Sequence, residues 1–211
     1  DQPRSRGLGD EYKRQLLNRL IITALRDEAQ PFIDRFKLAK DKNQSDLCVF
    51  NDENCSLLIT GVGVDRVRST LPVFLERISD LDNVVLFNVG IAGGHPDRTK
   101  IGEVYTVNKV TNDETHDKYF LTIPGKNEFN TMFLTTVAKG ITNGHMGYEG
   151  LVDMEAAIIT ATAISYLNID KIAVIKVVSD YMDIAEWSSL DVCEIIRLKL
   201  DSICALMELY V

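Results

Sequence analysis

Two runs limit the fold most: VVLFNVGIAGG at 84–94 and KIAVIKVVSD at 171–180. Both are apolar at consecutive positions, so a strand built from either has no face to offer water. Strands of that kind sit inside sheets covered on both sides, most often parallel sheets whose crossovers are helices. The rest of the chain supplies such partners. RLIITAL (19–25) reads as a first strand and RDEAQPFIDRFKLA (26–39) as an amphipathic helix. LCVF and CSLLIT flank NDEN (51–54) as a hairpin. GVGVDRVRSTLPVFLERI (61–78) is a glycine turn feeding a helix, and IGEVYTVNKVTND (101–113) a long alternating strand. Helices are predicted over NEFNTMFLTTVAKG (127–140), over the nearly all-apolar AAIITATAISYLN (156–168), over the C-terminal LDVCEIIRLKLDSICALMELYV (190–211), and briefly over EYKRQLLNRL (11–20). The pattern predicts a single-domain, three-layer α/β/α sandwich with a mixed, largely parallel central sheet over 19–211. An N-terminal extension occupies 1–18.

Composition narrows the function. At 211 residues and 45% hydrophobic content the chain can bury one sizeable core. A net charge of −8 with no Lys/Arg-rich block argues against nucleic acid, whose phosphates need a basic face. No apolar run reaches membrane-helix length, and the first residues carry no apolar signal core, so a cytoplasmic location and no membrane partner are expected. Residue 1 is Asp rather than Met, which leaves open what precedes it. Cys48, Cys55, Cys193 and Cys204 form no C-x-x-C pair and read as buried free thiols. His95, His116 and His145 are scattered, so no metal site is expected.

Chemistry-bearing residues gather at predicted strand ends, where α/β sheets bind ligands. In LVDMEAA (151–157), Asp153 and Glu155 interrupt an apolar run. If the stretch is extended, they share one side and Met154 faces the other. Acids before a helix are often caps that suit its dipole. Glu155 resists that reading, because the helix behind it is too apolar to lie on a surface. Asp180 ends the buried strand KIAVIKVVSD, with Ser179 before it. A carboxyl there can hold a proton and act as a general acid, although a turn or cap Asp is equally common. FNVGIAGG places three glycines in five residues, which allows close backbone approach to a ligand, or simply a strand-to-loop turn.

Taken together, IITALRDEAQPFIDRF, LLITGVGVDRV, NVGIAGG with IGEVYTV, VDMEAAII and VIKVVSDYMD resemble, in that order, the nucleoside phosphorylase/nucleosidase superfamily. The resemblance is greatest to the methylthioadenosine/S-adenosylhomocysteine nucleosidases, and it spans about residues 19–210. It implies hydrolysis of the N-ribosidic bond of a purine-type nucleoside. Asp180 would be the general acid to the base, Glu155 would clamp the ribose, and Glu28 would activate water. Met154, Ser179, Gly63, Ile91, Ala92, Gly93 and Asp153 would contact or shape the substrate. Asp153 would be the lesser of these, orienting the loop or capping the helix. No metal or organic cofactor is implied. The partners implied are the nucleoside, water and a second copy in a homodimer, with VFLERI (73–78) and IGEVYTV as candidate interface.

One position bears on the nucleophile, and two departures from the family pattern bear on specificity. Asn88 stands where many family phosphorylases carry a phosphate-gripping Arg, and an amide cannot supply that charge. This favours water, although Arg66 and Arg68 leave a phosphate-dependent phosphorylase as an alternative; a non-catalytic nucleoside-binding protein that keeps the fold is another. Ile91 replaces a small polar residue. The stretch between IGEVYTV and VDMEA is short, so TNGHMGYEG (142–150) is expected to put Tyr148 or His145 against the base.

Overall fold

The computed structural model describes residues 18–125, 129–144, 147–184 and 187–211. Ten strands and four helices follow one another: β1 (Asn18–Thr23), α1 (Arg26–Phe36), β2 (Ala39–Lys40), β3 (Cys48–Asn51), β4 (Cys55–Ile59), α2 (Val64–Glu76), β5 (Val84–Gly93), β6 (Val104–Asn112), β7 (Lys118–Phe120), β8 (Thr131–Thr136), β9 (Leu151–Asp153), α3 (Ala156–Ala163), β10 (Ile172–Asp180) and α4 (Val192–Glu208). The doubly apolar strands lie at the centre, as their composition requires. Parallel β5 pairs with β1 on one side and β10 on the other. Their side chains alternate between two cores. Leu20, Ile22, Val84, Leu86, Ile172 and Val174 face α2 and α3, whereas Ile21, Val85, Phe87, Val89, Ala173, Ile175 and Val177 face α1 and α4. Helices therefore cover both faces, and the chain is an α/β protein.

Strand directions differ from expectation. Five pairings are parallel (β1–β4, β1–β5, β5–β10, β6–β8, β8–β9) and five antiparallel, so the sheet is evenly mixed rather than largely parallel. Beyond β5 the sheet also closes. β10 pairs with β6, β6 with β8, β8 with β9, and β9 returns to β5 through Gly93 opposite Val152. A ring of five strands results.

The 127–140 stretch, predicted as a helix, contributes β8 instead. Its Thr-rich centre, TMFLTT, suits a half-buried strand better than a helix, and β6 and β9 offer it edges to pair with. The expected N-terminal helix lies outside the described residues except for 18–20, which belong to β1. The hairpin over NDEN forms as expected. The four cysteines are free, but only Cys55 is buried; the other three are half-buried. Among the described residues no helix is long and apolar enough to cross a membrane.

Candidate active site

A cavity of about 340 Å³ opens where β1, β4, β5, β8, β9 and β10 end. Four carboxylates line it: Glu28, Asp153, Glu155 and Asp180, among mostly apolar neighbours that include Leu25, Val62, Val137, Ile141 and Val152. All four are buried. Burying four like charges is costly unless each finds partners, and each does so differently.

Glu28 stands in the first turn of α1. Its Oε2 accepts from the Ala24 and Leu25 amides at 2.9 Å each, and its Oε1 from the Ile91 amide at 3.0 Å. It thus caps the helix and reaches across to β5. Gly90 makes room, since a Cβ there would lie 2.4 Å from Glu28 Oε1. Burial raises the Glu28 carboxyl above its ordinary range, opposed by the charge of Lys176 and by the three amides.

Glu155 follows β9. Its Oε1 accepts from the Gly63 amide at 2.7 Å. Burial, then the nearby Asp153 charge, pushes it up to about 7 against Lys176 and Gly63. Asp153 has the fullest set of partners. Oδ1 accepts from Thr136 Oγ1 at 2.6 Å, and Oδ2 from Lys176 Nζ and the Ala156 amide, each at 2.9 Å. Thr136 Oγ1 accepts in turn from the Ala157 amide at 2.9 Å.

Asp180 ends β10. Pairing with β5 runs Val178 opposite Ala92 and then Asp180 opposite Gly93, so Ser179 is the extra residue of a bulge. Bulges re-aim side chains next to functional sites. Asp180 Oδ1 accepts from the Met182 amide, and Oδ2 pairs with the Ser179 hydroxyl, both at 2.6 Å. Met182 is buried with φ 62°, a left-handed turn that brings its amide back onto Asp180.

The cavity therefore gathers Glu28, Glu155, Asp180, Asp153, Met154, Ile91, Ala92 and Gly93 from the sequence-based set. Gly63 and Ser179 do not line it; they hold Glu155 and Asp180 from behind. Met154 does not face away from Asp153 and Glu155 as an extended stretch would require. The strand stops at Asp153, the backbone turns at Glu155 (φ −134°, ψ −31°), and all three residues reach the cavity. Tyr148 lies off the cavity, donating to Asp113 Oδ2 at 3.0 Å, and His145 lies outside the described residues.

Lys176 and Thr136 escaped sequence reasoning. For Lys176 the signal was present: a lysine midway through KIAVIKVV must find a buried anion. Burial alone would lower its ammonium, but Asp153, Glu28 and Glu155 outweigh that and hold it above its ordinary range. Among the described residues no arginine or lysine lines the cavity. Asn88 is buried inside β5, its Nδ2 3.3 Å from the Ile22 carbonyl, and Arg66 and Arg68 are exposed on α2. Among the described residues no group of three or more His, Cys, Asp or Glu side chains is arranged to hold a metal ion.

No protein-family model and no curated protein matches the sequence. Solved structures do match. A methylthioadenosine/S-adenosylhomocysteine nucleosidase has a TM-score of 0.73 at 17% identity, covering 92% of this chain and 96% of its own. A 5′-methylthioadenosine nucleosidase from Arabidopsis thaliana, in apo form, gives 0.75 at 14%, with 92% and 96% covered. A nucleosidase from Helicobacter pylori, solved with butyl-thio-DADMe-Immucillin-A, gives 0.71 at 11%, with 91% and 98% covered. The chain thus has the fold of these nucleosidases over nearly its whole length.

Proposed function

We propose that this chain, a single-domain three-layer α/β/α sandwich over 19–211, hydrolyses the N-ribosidic bond of a purine-type nucleoside resembling 5′-methylthioadenosine or S-adenosylhomocysteine. The observation that carries the reading is the convergence of Glu28, Glu155 and Asp180 on one cavity lined, among the described residues, by no cationic side chain. In the reaction the bond from the anomeric carbon to the base breaks and its electron pair leaves with the base. Asp180 protonates the base, Glu155 stabilises the positive charge building on the sugar, and Glu28 takes a proton from the attacking water. The products are the free base and the free sugar.

Local bonding supports each role. The Ser179 hydroxyl has one proton for two acceptors, Asp180 Oδ2 at 2.6 Å and the Ala92 carbonyl at 3.3 Å. The Ser179 hydroxyl and the Met182 amide fix the Asp180 carboxyl at the cavity wall. Glu28 Oε1 keeps a lone pair beyond its single amide bond, and its raised affinity for a proton suits a base working near neutral pH. Glu155 spends one oxygen on Gly63 and keeps the other for ribose hydroxyls. Four carboxylates, with no arginine beside them among the described residues, disfavour phosphate as nucleophile. The reading includes a cytoplasmic homodimer and no metal or organic cofactor.

The test is base release from methylthioadenosine, S-adenosylhomocysteine, adenosine and inosine, with and without phosphate. Release of base and free sugar without phosphate supports the reading and names the substrate. Release only with phosphate, yielding a sugar 1-phosphate, makes the chain a phosphorylase. Binding without release makes it a nucleoside-binding protein.

A further inference from the structure

The cavity's fourth carboxylate and the buried lysine beside it have no part in the reaction above. We infer that the Lys176–Asp153 ion pair is a strut that fixes Glu155 relative to Asp180, and that Asp153 is a positioning residue rather than a substrate ligand. The inference rests on the reading that Glu155 and Asp180 serve two ends of one nucleoside.

Connectivity is the first argument. Asp153 lies two residues before Glu155, and Lys176 four residues before Asp180. β9 and β10 do not pair with each other; each pairs with β5. β9 is only three residues long and meets β5 at a single position, Val152 opposite Gly93. β9 pairs along its length with β8, but its backbone tie toward β5 and β10 is that single position, and the 2.9 Å ion pair bridges β9 and β10 directly. Saturation is the second argument. Asp153 accepts from Thr136, Lys176 and the Ala156 amide, and Thr136 accepts from the Ala157 amide. The residues between these anchors are Met154 and Glu155, both facing the cavity. Energetics is the third. The two side chains are 3% and 2% exposed. Buried pairs are seldom more stabilising than apolar residues of the same volume, so a positional role explains this one better than stability does.

The test uses the full chain with Lys176→Met, Asp153→Asn, the double variant and Lys176→Arg. Two quantities are read beside the melting temperature. One is turnover of the nucleoside that the wild type cleaves. The other is amide exchange at Gly63, which the pair does not touch but whose N–H reports where Glu155 sits. A strut predicts that each single variant lowers kcat about 100-fold with KM changed much less, the scale set by a misplacement of about 1 Å. It also predicts exchange at Gly63 faster by about tenfold or more. The double variant, which removes both charges of the pair together, regains melting temperature but neither turnover nor Gly63 protection. Lys176→Arg, which keeps the charge, retains Gly63 protection. If either single variant fails to fold, the double and Lys176→Arg carry the test.

Recovery of all three quantities in the double variant overturns the strut, because the pair then only balances charge. A large rise in KM for Asp153→Asn at unchanged kcat overturns it in favour of direct substrate contact. A wild type that releases no base defeats the nucleoside reading instead, and Gly63 exchange still decides whether the pair positions Glu155.

Discussion

Two strand-to-helix corners face the same cavity and hold their acids by different means. At the β1–α1 corner Glu28 is held by main chain alone: the amides of Ala24, Leu25 and Ile91. At the β9–α3 corner side chains share the work with main chain: Lys176, Thr136 and the Ala156 amide hold Asp153, and the Gly63 amide holds Glu155. The first arrangement uses both oxygens of its acid and tolerates no donor in their place. The second leaves one oxygen of Glu155 unused by protein and moves the structural burden to Asp153. An acid surrounded by amides is rigid and selective for a carboxylate. An acid with a free oxygen beside a braced neighbour is available to a ligand.

The widest separation should come from exchanging each acid for its amide. Glu28→Gln must aim an NH2 group at backbone donors, because every partner of Glu28 donates. It should lower turnover about 1,000-fold or more, the upper range for loss of a general base, and lower the melting temperature too. Glu155→Gln keeps an oxygen for Gly63, so it should cost turnover while leaving the fold intact. Steady-state kinetics and thermal melts on the two variants check this. Equal losses of stability would mean that the corners do not differ as described.

The next effect is a pH dependence. Glu155 is pushed up to about 7 from an ordinary 4.5. Between those values the folded protein keeps a proton that the unfolded chain has released. The stability this contributes is complete below pH 4.5 and is lost as pH rises through 7, by about 3 kcal/mol. Glu28 is raised as well and adds a slope of the same sign. Urea unfolding from pH 4 to 8, without ligand, should therefore show stability falling with pH in the wild type and a shallower fall in Glu155→Gln. An unchanged slope in the variant would remove Glu155 as its source.

A third effect isolates the main-chain corner. Gly90→Ala puts a Cβ 2.4 Å from Glu28 Oε1, so either the carboxylate or β5 must shift. Turnover should fall about 100-fold, as expected for a displacement of about 1 Å at the reacting group. The other corner gives a control, for a Cβ at Gly63 would meet no atom within 4 Å and only the φ of 91° there resists a side chain. Gly63→Ala should thus cost stability through backbone strain more than turnover.

The same contrast explains what could be seen in the sequence. The doubly apolar strands β5 and β10 announced the α/β architecture, since no half-exposed strand carries runs such as VVLF or IAVI. That Glu28, Glu155 and Asp180 gather at one end of the sheet was legible, because each stands at or just after a strand end beside recognisable neighbours. The even mixture of strand directions was not, because ring closure through β6, β8 and β9 depends on pairings between distant segments. Thr136 was hidden by the helix predicted over 127–140. Lys176 was visible as a misplaced charge, but its partner lies 23 residues away on a strand of three residues, and no periodicity reports such a contact.

The smallest effect tests how far the side-chain corner depends on each member. Thr136→Val keeps shape but removes a hydroxyl that donates to Asp153 and accepts from the Ala157 amide. Lys176 and the Ala156 amide remain on Asp153 Oδ2, but Oδ1 loses the donor that Thr136 supplies. The loss falls on Asp153 Oδ1 and on the buried Ala157 N–H, about 1–3 kcal/mol for a buried group left without its partner. Urea unfolding should show that loss, and Thr136→Ser, which keeps the oxygen, should recover most of it. Turnover should change little, because the ion pair still ties the corner to β10. A large drop in turnover at small cost in stability would shift the bracing of Glu155 from the lysine to the threonine.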